Sequence, residues 1–286
     1  MAVDVLSVTS RALSFLALFQ AAGVTLFLAL REQPLPNTER ALRRIGTVAA
    51  LLAATFCLAH YLLEAGRMSG ELSGVFDTAL QSTILRSVVS ATLSWRLLGL
   101  VLIVGGLWFQ AMAGRTAGVI GVFVLLASFT FVGHTSKEAV RWLLSPALLV
   151  HLGAVAFWYG SLLPLSLVSS REPPQTAGSV VQEFSARAVR LVPALLLAGL
   201  ILAAVLLPNL TALHRPYGEL LLAKVVGFCV LMFFAAMNRW RFGPALRLGD
   251  RAAGRRFRQV VGAEFVLLAT VLCVTAVMTT FFSPEG

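Results

Sequence analysis

Runs of about twenty apolar residues, separated by short charged segments, recur along the whole of this 286-residue chain. A helix of that length covers roughly 30 Å of hydrocarbon. Lipid offers no water to satisfy backbone N–H and C=O groups, so each such run must pair them internally as a helix. Composition closes the alternative of a soluble core, because 58% of the residues are hydrophobic and only 13% are charged, too little polar surface to cover a globule of this size. The sequence therefore predicts an all-α, polytopic membrane helix bundle. Hydropathy and breakers place eight crossings, at about residues 7–30, 44–64, 96–113, 117–134, 146–168, 190–207, 219–237 and 260–282, within one integral-membrane domain over residues 1–286. The segment from Met68 to Ser94, interrupted by Gly70, Gly74 and scattered charges, reads as interfacial. The first run reads as a true crossing and not a removable leader, since Asp4 and the single basic Arg11 precede it.

Lysine and arginine accumulate on the cytoplasmic side of membrane proteins. With eight crossings, the odd-to-even loops hold fifteen of the 23 basic residues and the other side eight, which predicts both termini outside. The same asymmetry accounts for a net charge of +10. The surplus sits in short loops that suit anionic lipid, with no aromatic-interleaved basic domain for nucleic acid.

The four histidines all fall on the outer side. His60 lies about one turn from the outer end of the second crossing, His134 at the outer end of the fourth, and His214 in the loop between the sixth and seventh. His151 lies about five residues into the fifth crossing if Ser145 caps that helix and Pro146 opens it. Imidazoles at one level suit a transition metal or a haem. Cys57, His60 and Glu64 follow i, i+3, i+7 and share a helix face, with Met68 just beyond. Sulfur with imidazole favours copper, Cu(I) in particular. The bland readings are an inert buried cysteine, histidines that only join helices by hydrogen bonds, and a solvated His214.

Lys224 and Glu264 are the other ionisable groups at membrane depth, where such residues often mark a pathway or proton relay. Against that, Lys224 near a helix end can snorkel, and Glu264 can pair with Arg258 or a neighbouring arginine. Trp142 and Trp158 read as packing or interface residues. Gly114 and Gly118 have the spacing of a helix-packing motif but fall in a predicted loop, while Ala194, Ala198 and Gly199 offer a small face for packing. The three cysteines, all in apolar runs, imply no disulfide framework. Nucleotide-binding loops, zinc-protease motifs and serine nucleophile elbows are missing, which argues against an ATP-driven pump.

Gly133-His134, then His151 with Trp158 and Gly160 downstream, resembles the signature of the bacterial copper resistance protein D family. The stretch Arg67 to Asp77, Asn238-Arg239 with Pro244, and Glu264 with the closing Ser283-Pro284 are similar to the family's pattern in order and spacing. Tyr159-Gly160-Ser161 departs from the Gly-Gly that family members often carry after the tryptophan. The resemblance implies a multi-pass inner-membrane protein that handles copper, Cu(I) or Cu(II), without enzymatic turnover. It implies His134 and His151 as ligands, to which the depth argument adds His60, and a separate periplasmic copper carrier of the CopC type. A haem b-containing oxidoreductase such as a cupric reductase is the alternative, and a non-transporting structural or assembly partner a second one. Oligomeric state is not legible.

Overall fold

The computed structural model describes residues 2–109, 112–132, 140–207 and 213–282, and in them every regular element is helical. In chain order these are α1 (Ala2–Leu30), α2 (Glu39–Ser69), a 3₁₀ turn (Leu72–Phe76), α3 (Thr78–Leu85), α4 (Val88–Trp108) and α5 (Met112–Ala127), which runs on into a 3₁₀ turn (Ser128–Phe131). Then follow α6 (Arg141–Arg171), α7 (Pro174–Leu206), α8 (Pro216–Met237), a π-helical turn (Asn238–Phe242), α9 (Gly243–Arg247) and α10 (Arg251–Phe281). Eight of these helical stretches are long and apolar enough to cross a membrane, as the hydropathy predicts.

Several boundaries move outward from their expected positions. The third crossing begins at Val88, not near residue 96, because Ser87 accepts a hydrogen bond from Val89 N and starts the helix early. Only the 3₁₀ turn and α3 remain of the expected interfacial segment, with Asp77 capping α3 through Ala79 N and Leu80 N. The fourth crossing starts at Met112, so Gly114 and Gly118 are helical and not in a loop. Their face meets α4: a Cβ on Gly106 would lie 2.5 Å from Gly118 Cα, and one on Gly121 2.7 Å from Gly99 O. The glycine spacing is thus a packing motif within the chain. Pro146 does not open its helix, since α6 begins at Arg141 and carries Pro146 and Pro164 inside it.

α1 is the central helix, with 67% of its most apolar window buried, against 6% for the stretch Pro216–Arg247. It packs on α2, α6 and α10. Hydrophobicity cannot hold helices together among lipid tails, so close approach and polar contacts must. The α1–α6 crossing supplies both. A Cβ on Gly23 would fall 2.1 Å from Ala156 O and 2.4 Å from Gly160 Cα, so the backbones touch. Pro164 cannot donate to the carbonyl four residues back, and Gln20 Nε2 fills the gap, donating to Gly160 O at 3.1 Å.

Candidate functional site

Two polar clusters lie inside the bundle. The first joins α1, α2 and α4 near the face that carries the termini. Cys57, His60 and Glu64 lie on one stripe of α2, as their spacing predicts. His60 Nε2 is 3.5 Å from Glu64 Oε1, and its Nδ1 is 3.4 Å from Ser7 Oγ and 3.5 Å from Ser10 Oγ, both hydroxyls on α1. Glu64 also accepts from Arg67 at 3.1 Å. The Cys57 thiol is within hydrogen-bonding reach of Arg96 and Ser14. Arg96, on α4, donates to Ser128 Oγ at 3.3 Å and sits over the Phe129 ring at 4.5 Å. Arg11 donates to Thr279 O and Thr280 Oγ1, each at 3.1 Å, and ties this corner to the end of α10.

Sequence reasoning missed the arginines here. Arg11 and Arg96 count toward loop charge in a hydropathy reading, whereas both are helical and partly buried, and both act electrostatically on His60. Their signal was available: an arginine flanked by apolar residues on both sides, as in Ser94-Trp95-Arg96-Leu97-Leu98, marks a charge inside a crossing.

His151 belongs to different surroundings. With α6 starting at Arg141, it lies ten residues into the helix, roughly 15 Å from the helix start and not the expected 7 Å. Its ring faces α7, where Gly199 leaves room for it, and Lys224 of α8 acts on it electrostatically. Its Nδ1 is buried and, among the described residues, has no hydrogen-bond partner of ordinary geometry, with the Leu195 backbone of α7 beside the ring. Lys224 itself stands eight residues into α8. His60 lies nine residues from the end of α2, so the two histidines sit at similar depth but turn toward different helices. His134 lies outside the described residues. His214 and Met68 are exposed, Met68 at 58%. Among the described residues no three of His, Cys, Asp and Glu converge closely enough to hold a metal ion.

The second cluster is buried where α6, α10 and the π-helical turn meet. Trp158 Nε1 donates to Glu264 Oε2 at 3.2 Å, and Asn238 Nδ2 to Glu264 Oε1 at 2.6 Å. Glu264 does not pair with Arg258, whose guanidinium reaches Ser169 O at 3.5 Å instead. Trp158 is likewise no interface residue but a buried donor, 5% exposed. A third polar contact locks the loop between α1 and α2: Glu172, at the end of α6 and 7% exposed, accepts from Asn37 N, Asn37 Nδ2 and Thr38 Oγ1 at 3.0, 3.1 and 2.7 Å.

Residues 178–278 match the family described as copper resistance protein D, and residues 1–139 match the copper resistance protein D-like N-terminal domain. The chain is similar to the inner membrane protein YebZ of Escherichia coli (strain K12), 25% identical over 248 residues that cover 84% of this chain and 83% of that one. No solved structure matches it. The N-terminal match takes in the His60 cluster and the C-terminal match takes in Asn238 and Glu264, while Trp158 lies between the two; together the matches cover most of the chain, which belongs to the copper resistance protein D family.

Proposed function

We propose that this chain resides in the bacterial cytoplasmic membrane and moves copper ions across it as substrate, without enzymatic turnover. Its entry site lies at the terminus-bearing face, where a periplasmic carrier of the CopC type delivers the ion. The observation that carries this reading is the Cys57–His60–Glu64 stripe, a thiol, an imidazole and a carboxylate set in succession along one face of α2 and not closed into a single metal cage, within a family named for copper resistance. Arg11 and Arg96 beside that stripe oppose retention of a highly charged cation, which favours Cu(I) over Cu(II) and the weak hold that a transit site needs. His134 and His151 are the ligands the family signature adds, His151 from its own cluster against α7.

The test is copper content and visible spectrum of the purified protein after Cu(I) loading, in parallel with Cys57→Ala, His60→Ala, His134→Ala and His151→Ala. Copper held by the parent and reduced at least about tenfold in affinity by His60→Ala, the loss expected when about 1.4 kcal/mol of ligation disappears, supports the reading. Unchanged copper in all four variants refutes it. A Soret band abolished by the same substitutions would instead make this a haem-dependent oxidoreductase.

A further inference from the structure

The buried acid of the second cluster is not used by the copper site. Glu264 is 2% exposed and lies six residues beyond Arg258, roughly 9 Å into the apolar stretch of α10. Both its hydrogen-bond partners, Trp158 and Asn238, are neutral. The ionisable groups on the elements packed around it are engaged elsewhere or set away from it, Arg255 and Arg256 of α10 being exposed. On α10, Arg258 reaches Ser169 O. On α9, Arg247 binds Gln182, and in the π-helical turn Arg239 binds Ser185 while Arg241 lies over Phe242. On α1, Arg11 holds the far end of α10, and on α6 the Tyr159 ring stacks on Phe265 while His151 stands seven residues before Trp158. On α8, Glu219 and Lys224 stand near the opposite end of the helix from Asn238, with Cys229 between; Cys273 is the remaining thiol on α10.

A carboxylate without a cationic partner is expensive in a low-dielectric interior, and the acid form is far cheaper. The contacts suit that form. A separation of 2.6 Å is short for an amide N–H donor and ordinary for a hydroxyl donor. An asparagine amide can present either of its ends, so the same contact is made by a protonated Glu264 donating to the Asn238 oxygen. Asn238 also opens the π-helical turn, a backbone form that is frequent at functional sites.

We propose that Glu264 binds and releases a proton inside the bundle, with Asn238 and Trp158 as positioning residues, so that a proton crosses as copper does. The acid gives up its O–H proton to water and becomes a carboxylate held by the two donors; the coupling to copper rests on the function proposed above.

Infrared difference spectra of the full chain in lipid vesicles across a pH series test the proton site. The expected result is a carboxylic C=O band that shifts in D₂O, disappears as pH rises, and is missing in Glu264→Gln. In Trp158→Phe, which keeps the acid and loses one donor, the band is expected to move in position. A parent with no such band at any pH, a band insensitive to pH, or a band that survives in Glu264→Gln overturns the proposal. Vesicles with an entrapped pH dye, given external Cu(I), test the coupling: the parent should change internal pH on copper entry and Glu264→Gln should not. Copper entry without a pH change overturns the coupling. A pH-sensitive band without copper entry supports the proton site and sinks the copper reading.

Discussion

Single polar side chains inside this bundle do work that apolar contact does in a soluble protein. Glu172 shows the scale of it, since one carboxylate satisfies two backbone-proximal donors of Asn37 and the hydroxyl of Thr38, which is fully buried. Removing the acceptor strands the buried Thr38 hydroxyl, at about 1–3 kcal/mol for a buried unsatisfied group, while the donors of the exposed Asn37 can turn to water. Glu172→Ala is therefore expected to lower the unfolding midpoint in mixed micelles, and Glu172→Gln, which keeps one acceptor oxygen, to recover part of the loss. Equal midpoints for all three proteins would show that the loop is held by other contacts. The same reasoning explains why Glu172 escaped notice in the sequence: Arg171-Glu172-Pro173 reads as a solvated loop, and only the fold brings residues 37 and 38 onto it.

Among the elements, helix pairs divide by what lets them meet. α1 crosses α6 at two glycines, and α4 crosses α5 at Gly99 and Gly106 against Gly118 and Gly121. A methyl group at Gly23 has backbone atoms of Ala156 and Gly160 in its place, and backbone cannot rotate aside. Gly23→Ala is expected to cost about 1–3 kcal/mol, the usual range for overpacking. Gly262→Ala, where nothing lies within 4 Å of the added carbon, is the matched control and should be neutral or slightly stabilising. Thermal unfolding in detergent compares the two, and equal midpoints in both would show that the close crossing at Gly23 does not set the effect.

For the whole molecule, the unequal burial of the helices orders the bundle. α1 and α6 form its centre, and α7 and α8 turn most of their apolar residues outward, toward the lipid. The basic residues at the α1–α2 connection and the first turns of α2, Arg171 with Arg187 and Arg190 of α7, and those from Arg239 to Arg258 gather on the face opposite the termini. Reporter fusions that are active only in the periplasm are expected to work at both termini and to fail after residue 247. Activity at residue 247 and silence at the termini would invert the orientation, and would move the His60 cluster to the cytoplasmic side.

The number of crossings, the all-helical class and the Cys57–His60–Glu64 stripe were legible in the sequence, because hydropathy and helical spacing are local properties that neighbouring residues decide. Helix ends were less so: caps such as Ser87, and a proline tolerated inside α6, extend helices beyond their apolar cores. That shifted the depth of His151. Which residues meet was decided only by the tertiary structure. The Arg96–Cys57 contact, the turn of His151 toward Gly199 of α7 and the enclosure of Glu264 by Trp158 and Asn238 join residues 39, 48, 106 and 26 positions apart. Charge and hydropathy say that a polar group inside a membrane needs a partner; they do not say which helix brings it, because helix packing in lipid depends on the shapes of small-residue faces that come together only when the bundle forms.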